Sequence, residues 1–398
     1  MLRSMYSGIS GMKNFQTKLD VIGNNIANVN TYGFKKGRVT FKDTMNQTIS
    51  GASAATDTRG GKNPMQVGLG STLASIDTID TQGSLQTTGR SLDLALNGDG
   101  YFVVRQGNQD VYTRAGNFYL DNEGTLVNSD GLKLQAYAVD QSGVRANNYG
   151  DVTVNVNAVM SPTRTTTATV EGTLSDVAAP NSKYVQQIEV VRADGTPLKV
   201  DITFTKNTAA REWSINGTSS SGNIATPLPT ITFDATTRQA TPNTTNITIG
   251  GETFALNMAN LTSPAGNNQN TAIINTDGNL EGSIESFNIG AGGEINGVYS
   301  NGLVRTLGVL AIAKFSNPAG LTRAGGNNFQ QSINSGVANT GIPGEGRGTI
   351  AAGALEMSNV DLSEEFTEMI TAQRGFQANT RIITTSDEIL QELVNLKR

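Results

Sequence analysis

Apolar residues at the front of the chain recur in steps of three and four: Leu2, Met5, Ile9, Met12, Phe15, Leu19, Ile22, Ile26 and Val29. At the back, Leu362, Met369, Phe376, Ile383 and Leu390 fall seven apart, with Phe366 and Val394 on the adjoining seam. Such stripes belong to helices that bury one face against other helices, so these residues form the candidate assembly interface. The first helix is expected from about Leu2 to Val29, roughly 40 Å long at 1.5 Å per residue. Asn28, Asn30 and Gly33 tolerate left-handed backbone and should stop it. The second has a start signal: Asp361 can cap, and Glu364 can complete a capping box. Glu365 and Glu368 suit the positive end of its dipole, and Lys397 and Arg398 the negative end. About 35 residues exceeds the usual globular helix, an excess that a bundle or filament core would explain.

Between the ends the period is two, not 3.6. Residues 34–70 are Thr, Ser, Gly and Asn without clear period, with a turn at Gly60-Gly61, and read as an extended connector. Alternation begins near Ser71, with Leu73 and Ile76, and is clearest in Leu92, Leu94 and Leu96 before the turn Asn97-Gly98-Asp99-Gly100. Tyr101 to Val104, further turns at Asp121–Gly124 and Ser129–Gly131, and short strands around Phe118, Leu126 and Leu134 are the spacing of hairpins. From Asp151 to Asp277 the composition shifts toward Thr, Asn and Ser, with strand-like runs at Val152–Val156, Ile188–Val191, Val200–Phe204, Trp213–Ile215, Ile231–Phe233 and Ile247–Ile249. Apolar content rises again from Gly282 into a buried strand at Thr306–Phe315. The expected fold is multidomain and mainly β, with long terminal helices and nested, discontinuous β domains. A helical module takes 1–33 and 358–398, a connector 34–70, a first β domain 71–150 and 282–357, and an inserted β domain 151–281.

Composition narrows the chemistry. The 398 residues include no Cys and no His, which excludes disulfides, thiolate and imidazole metal ligands, Cys nucleophiles and the usual Ser-His pair. Glycine-rich stretches at 290–293 and 344–348 lack the phosphate-loop spacing, and Asp99, Asp121, Asp130 and Asp194 beside Gly do not fit a calcium loop. Both read as turns, and no catalytic, cofactor or metal residue is expected. Trp213 reads as core, and Lys35, Lys36 and Arg38 as a solvated basic connector. Charged residues are only 16% and the net charge is −5, against nucleic acid or an anionic membrane as partner. Charge is uneven: Arg3, Lys13, Lys18, Lys35, Lys36, Arg38 and Lys42 dominate the front, and Glu356, Asp361, Glu364, Glu365, Glu368, Asp387, Glu388 and Glu392 the back, so the ends should attract. No apolar run is long enough to insert in a membrane, and Ser4, Ser7, Ser10, Lys13 and Asn14 interrupt any cleavable signal.

Asn24-Asn25-Ile26-Ala27-Asn28-Val29-Asn30-Thr31-Tyr32-Gly33-Phe34-Lys35, Glu356-Met357-Ser358-Asn359-Val360-Asp361-Leu362 and Gln373-Arg374-Gly375-Phe376-Gln377-Ala378-Asn379 resemble the signatures of the bacterial flagellar axial proteins of the rod and hook. Leu92–Phe102 and Tyr112–Phe118 resemble both branches, whereas Gly282–Leu321, the length and the inserted domain have the proportions of the hook branch. The distal rod is the alternative. The resemblance implies a non-enzymatic subunit of a short, curved, hollow tube that transmits torque from rod to filament as a universal joint. Its implied partners are further copies of itself, the distal rod protein, the hook cap protein, the hook–filament junction protein and the flagellar type III export apparatus. It would leave the cell through the flagellar channel without a cleavable signal and reside in the extracellular hook. Phe41-Lys42-Asp43-Thr44-Met45 looks like the family's aromatic-x-x-x-apolar export pattern, with Phe41 and Met45 as the signal. Some relatives join subunits through a Cys and a Lys; without Cys, this tube should be noncovalent.

Overall fold

A computed structural model describes residues 2–140, 143–155, 158–220, 222–223 and 228–396. The expected architecture of terminal helices around a mainly β chain is observed, with helix α1 at Leu2–Ala27 and helix α2 at Leu362–Asn395. Helix α1 stops short of Val29 because Asn28 turns its side chain back, donating to the Asn24 carbonyl at 2.8 Å and the Asn24 Oδ1 at 3.1 Å. A short amide side chain that bonds local backbone competes with helix propagation. Asp361 caps α2, accepting from Ser363 N at 2.8 Å and Glu364 N at 3.4 Å. The other half of the expected capping box does not form, because the Glu364 carboxylate pairs with Lys36 Nζ at 2.7 Å instead. Val156, Lys397 and Arg398 lie outside the described residues.

Residues 37–78 form a two-stranded arm rather than an irregular connector. Gly37–Asp43 pairs antiparallel with Ser71–Thr78, and Asn46–Ser50 pairs with Met65–Gly68. Asn46–Ser50 and Met65–Gly68 are exposed at every position. With no buried side, nothing selects alternation in the sequence, so the ladder leaves no period-two signal. Ser71–Thr78, expected to open a β domain, is the return strand of this arm.

The chain divides into two compact units. The first comprises Met1–Asn155, Asn288–Asn296 and Thr306–Arg398. Its sheet runs in the order Lys133–Val139, Tyr101–Gln106, Gln109–Thr113, Asn328–Gln330, Thr322–Gly325. Tyr101, Tyr112, Phe315 and Phe329 are buried at its centre, Phe315 meeting the Tyr101 and Tyr112 rings edge-on at 5.9 and 4.8 Å between centroids. Two short pairings tie the chain leading into α2 to this unit, Leu94–Asn97 with Thr349–Ala352 and Leu85–Thr87 with Ala354–Glu356.

The second unit comprises Val156–Phe287 and Gly297–Arg305. One sheet orders Thr244–Ile249, Glu252–Thr262, Thr167–Thr173 and Ile273–Thr276, and another is built on Lys183–Val191, Pro197–Lys206 and Glu212–Ser219. Alternate residues of the strand Pro197–Lys206, namely Leu198, Val200, Ile202 and Phe204, enter a core shared with Leu256 and Met258 of the first sheet. Trp213 is completely buried in that core, as its isolation in the sequence suggested. The turn aspartates act as turn formers: Asp121 Oδ1 accepts from Glu123 N and Thr125 N, and Asp194 Oδ1 from Thr196 N.

Candidate assembly interface

The two helices run antiparallel, since Gly8 lies against Ile383, Phe15 against Gly375 and Lys18 beside Glu368. On α2, the heptad line Met369, Phe376, Ile383 and Leu390 is half-buried, as the spacing requires. Its companion line is Glu365, Ala372, Asn379 and Ser386, of which Glu365, Ala372 and Ser386 are buried. Leu362, expected to open the seven-residue line, and Phe366 and Val394, expected on the adjoining seam, are instead exposed, Phe366 at 49% and Val394 at 68%. The cause is the closeness of the two backbones. A Cβ added to Gly375 would stand 2.6 Å from the Phe15 ring, and one on Gly11 2.8 Å from Asn379 Oδ1, so the companion line takes only small or polar residues. On α1, Ile22 is buried, Met5, Met12, Phe15, Leu19 and Ile26 are half-buried, and Ile9 is exposed. Val29 is half-buried in the turn after the helix; the Leu2 side chain lies outside what is described.

Exposed apolar side chains therefore remain on both flanks of the α2 line that faces α1. Leu362, Phe366 and Ile370 near the start of α2, Ile382, Ile389 and Val394 near its end, and Tyr6 and Ile9 on α1 are all exposed. Ile370, Ile382, Ile389 and Tyr6 are absent from the sequence-derived set, although the four-residue step from Phe366 to Ile370 and the seven-residue step from Ile382 to Ile389 were available signals.

The segments carrying Gly33 and Lys35, Arg114, and Glu356 meet at one buried carboxylate. Glu356, with side-chain exposure of 0%, binds Lys35 Nζ at 2.7 Å and Arg114 Nη1 at 3.2 Å. Gly83 N donates to its Oε1 at 2.9 Å, and Gly33 N to its backbone carbonyl at 2.8 Å. Lys35 also donates to Thr81 O at 2.8 Å and faces Asp80 at 3.9 Å. Burial pulls the Lys35 ammonium below its usual range, opposed by the Glu356 charge. Burial, with the charge of Asp80 next, pushes the Tyr101 hydroxyl well up. Lys35 is thus the centre of an ion cluster and not part of a solvated basic patch; only Lys36, paired with Glu364, and Arg38, 3.6 Å from Asp77, stay toward solvent. Gly33 sits at φ +70°, and a Cβ there would stand 2.5 Å from Ala115 N, so the motif glycine is required by close approach. Asn359 completes the junction, accepting from Lys36 N at 2.7 Å and donating to Ile79 O at 2.8 Å.

Asn25 makes the corresponding tie at the helix seam. Its amide accepts from Gly37 N and donates to Gly37 O, both at 2.9 Å, and donates to Glu365 Oε2 at 3.1 Å. Burial raises the Glu365 carboxyl above the ordinary range, with the Asn25 bond and Lys36 opposing. The folded state then binds this proton more tightly than the unfolded chain, so the Glu365 contribution to stability falls as pH rises from 4.5 through the raised folded value. Glu365→Gln is expected to raise the unfolding midpoint at neutral pH and to flatten the pH dependence in that window, as read by denaturant melts between pH 4 and 7. An unchanged slope would remove Glu365 as its source.

Of the export pair, Phe41 lies in the arm strand Gly37–Asp43 with its ring edge-on to Phe15 at 6.3 Å, and Met45 is 75% exposed between the arm strands. No cluster of acidic residues able to hold a metal ion occurs among the described residues.

A chain whose two ends are bound together by a buried ion cluster, while apolar side chains of both helices stay exposed, is built as a structural subunit. Residues 5–35 match the family described as flagella basal body rod protein, 95–174 the flagellar hook protein FlgE/F/G D1 domain, and 351–396 the flagellar basal body rod FlgEFG protein C-terminal. The chain is 41% identical over 442 aligned positions to the flagellar hook protein FlgE of Borreliella burgdorferi, covering 100% of both chains. It is 40% identical over 400 positions to the flagellar basal-body rod protein FlgG of Bacillus subtilis, again covering 100% of both. The crystal structure of the Helicobacter pylori flagellar hook protein FlgE2 superposes with TM-score 0.56 at 12% identity, covering 68% of this chain and 100% of that one. The chain belongs to the family of flagellar hook and basal-body rod proteins.

Proposed function

We propose that this protein is the structural subunit of the flagellar hook, polymerising into the tube that joins the rod to the filament. The observation that carries the reading is its similarity, along the whole chain, to a named hook protein. The exposed apolar side chains of α2 support self-association, because burying them against neighbouring copies removes apolar surface from water, at about 25 cal/mol per Å². The helix pair then lines the inner tube. The rod, cap and junction proteins meet the ends of this tube, and the subunit reaches its site by the flagellar export route, with Phe41 and Met45 read from the chain before it folds. Electron microscopy of basal bodies from a strain lacking the gene tests the assignment. Rods without hooks, restored by the intact chain, are the expected result; rods missing their distal part would transfer the protein to the rod.

The tube must bend while it turns, and weakly charged Thr/Asn-rich outer surfaces exchange contacts with water at little net cost, each hydrogen bond being worth about 1 kcal/mol. Thr163 and Asn279 exchange backbone hydrogen bonds at 2.9 and 3.1 Å, which makes them a natural point of closure. Deleting 164–278 and joining the two with a short turn is expected to leave export and polymerisation intact but to give straight hooks and poor motility. Normally curved hooks in micrographs of that strain would assign curvature to the remaining unit.

A further inference from the structure

The most exposed large apolar side chains among the described residues are Ile333 at 104%, Leu396 at 82% and Val337 at 80%. Leu396 lies at the end of α2, but Ile333 and Val337 share one loop of the first unit. An isolated surface isoleucine needs no explanation. Ile333 differs because the turn beneath it is rigidly built. Ser332 Oγ donates to Gly320 O at 2.6 Å and accepts from Asn334 N and Ser335 N at 3.1 and 3.2 Å. Ser335, which is fully buried, donates to Ser332 O at 2.9 Å, and Asn317 Nδ2 donates to Asn334 O at 3.1 Å. The turn rests on Gly320, where a Cβ would come within 2.9 Å of the Asn334 and Ser335 backbone. Ala338, just beyond, packs against the aromatic core of Tyr101, Tyr112 and Phe315.

Conformational entropy has therefore been spent on holding an apolar side chain that touches nothing in its own chain. With its backbone already fixed by the turn, a fully hydrated side chain gains free energy when a partner covers it, and only its own rotamers remain to be ordered at that moment. Residues 324–344 contain no Asp, Glu, Lys or Arg, the charge depletion expected at the centre of an interface rather than on a free rim. An uncharged anchor has no means of drawing a membrane headgroup or a nucleic acid. The neutral, Thr- and Asn-rich surface of this same protein fits it.

We infer that the loop 331–338 is a preformed docking knob, with Ile333 and Val337 inserting into a second copy of this chain in the polymer. The inference rests on the polymer reading but adds a contact separate from the helical faces. Because the chain has no cysteine, Ile333→Cys gives a unique attachment point for a photocrosslinker in the full-length protein. Illumination of assembled polymer is expected to give covalent dimers and higher multimers of this chain. The double variant I333S/V337S should melt close to the wild type, since Ile333 is fully and Val337 80% exposed. It should polymerise only at a critical concentration roughly ten- to a hundred-fold higher. Wild-type polymerisation with no crosslink at 333, or crosslinks only to another protein, overturns the knob and leaves the hook reading standing. Equal critical concentrations for the double variant and the wild type overturn it as well. A wild-type chain that never polymerises overturns both.

Discussion

Glu356→Ala is expected to lower the free energy of unfolding by about 3–5 kcal/mol, the usual result of removing one partner of a buried ion pair. The loss is not mainly that of attraction. Lys35 and Arg114 are 1% and 3% exposed, and without Glu356 their charges have neither water nor a matched anion. Asp80, 3.9 Å from Lys35, recovers only part of the deficit. The cluster joins the exit of α1, the base of the arm, the sheet around Arg114 and the entry to α2, so the damage should spread to all of them. Urea melts followed by circular dichroism, and amide hydrogen exchange at residues 79–84, check this. A loss under about 1 kcal/mol would mean that water replaces the carboxylate and that the cluster does not hold the junction. Replacing all the charged members together with apolar residues of similar volume should cost less than Glu356→Ala alone, because it leaves no orphaned ion.

Phe376→Asp and Phe366→Asp, ten residues apart on α2, should fail in different ways. Phe376 is half-buried on the line facing α1, and an unpaired carboxylate there typically costs several kcal/mol, so the helix pair should separate in the monomer. Helix content should fall, the β units should remain folded, and no polymer should form. Phe366 is 49% exposed beside that line, and its replacement should cost the monomer only about 1 kcal/mol. We expect polymerisation to be lost all the same, because the charge enters the surface proposed to meet neighbouring copies. Export into the medium, monomer melts and sedimentation of assembled material separate the two outcomes. Normal-length hooks from the Phe366→Asp strain would move the intersubunit contact to another face.

Much of this architecture is legible in order along the chain. Period-three and period-four stripes mark both helices, and Asp361 marks the start of the second. Turn dipeptides mark the hairpins, and alternation at Leu198, Val200, Ile202 and Phe204 marks a strand with one buried face. These signals are local: a helix or a half-buried strand writes its period into its own residues because one side meets water and the other does not. The arm at 37–78 escapes this rule. Both of its faces are wet near the tip, and the backbone ladder that holds it makes no demand on side chains.

The amino-acid sequence by itself determined that helices close a mainly β chain at both ends, that its ends carry opposite charge, and that it belongs with the flagellar axial proteins. Only the tertiary structure decided which apolar residues of α2 face α1 and which stay open, because that choice depends on how closely Gly11 and Gly375 let two backbones approach. It also decided that Lys35 is buried. A lysine looks the same in sequence whether its counter-ion is solvent or a glutamate more than three hundred positions away, and its environment is set by folding bringing Lys35, Arg114 and Glu356 to one point.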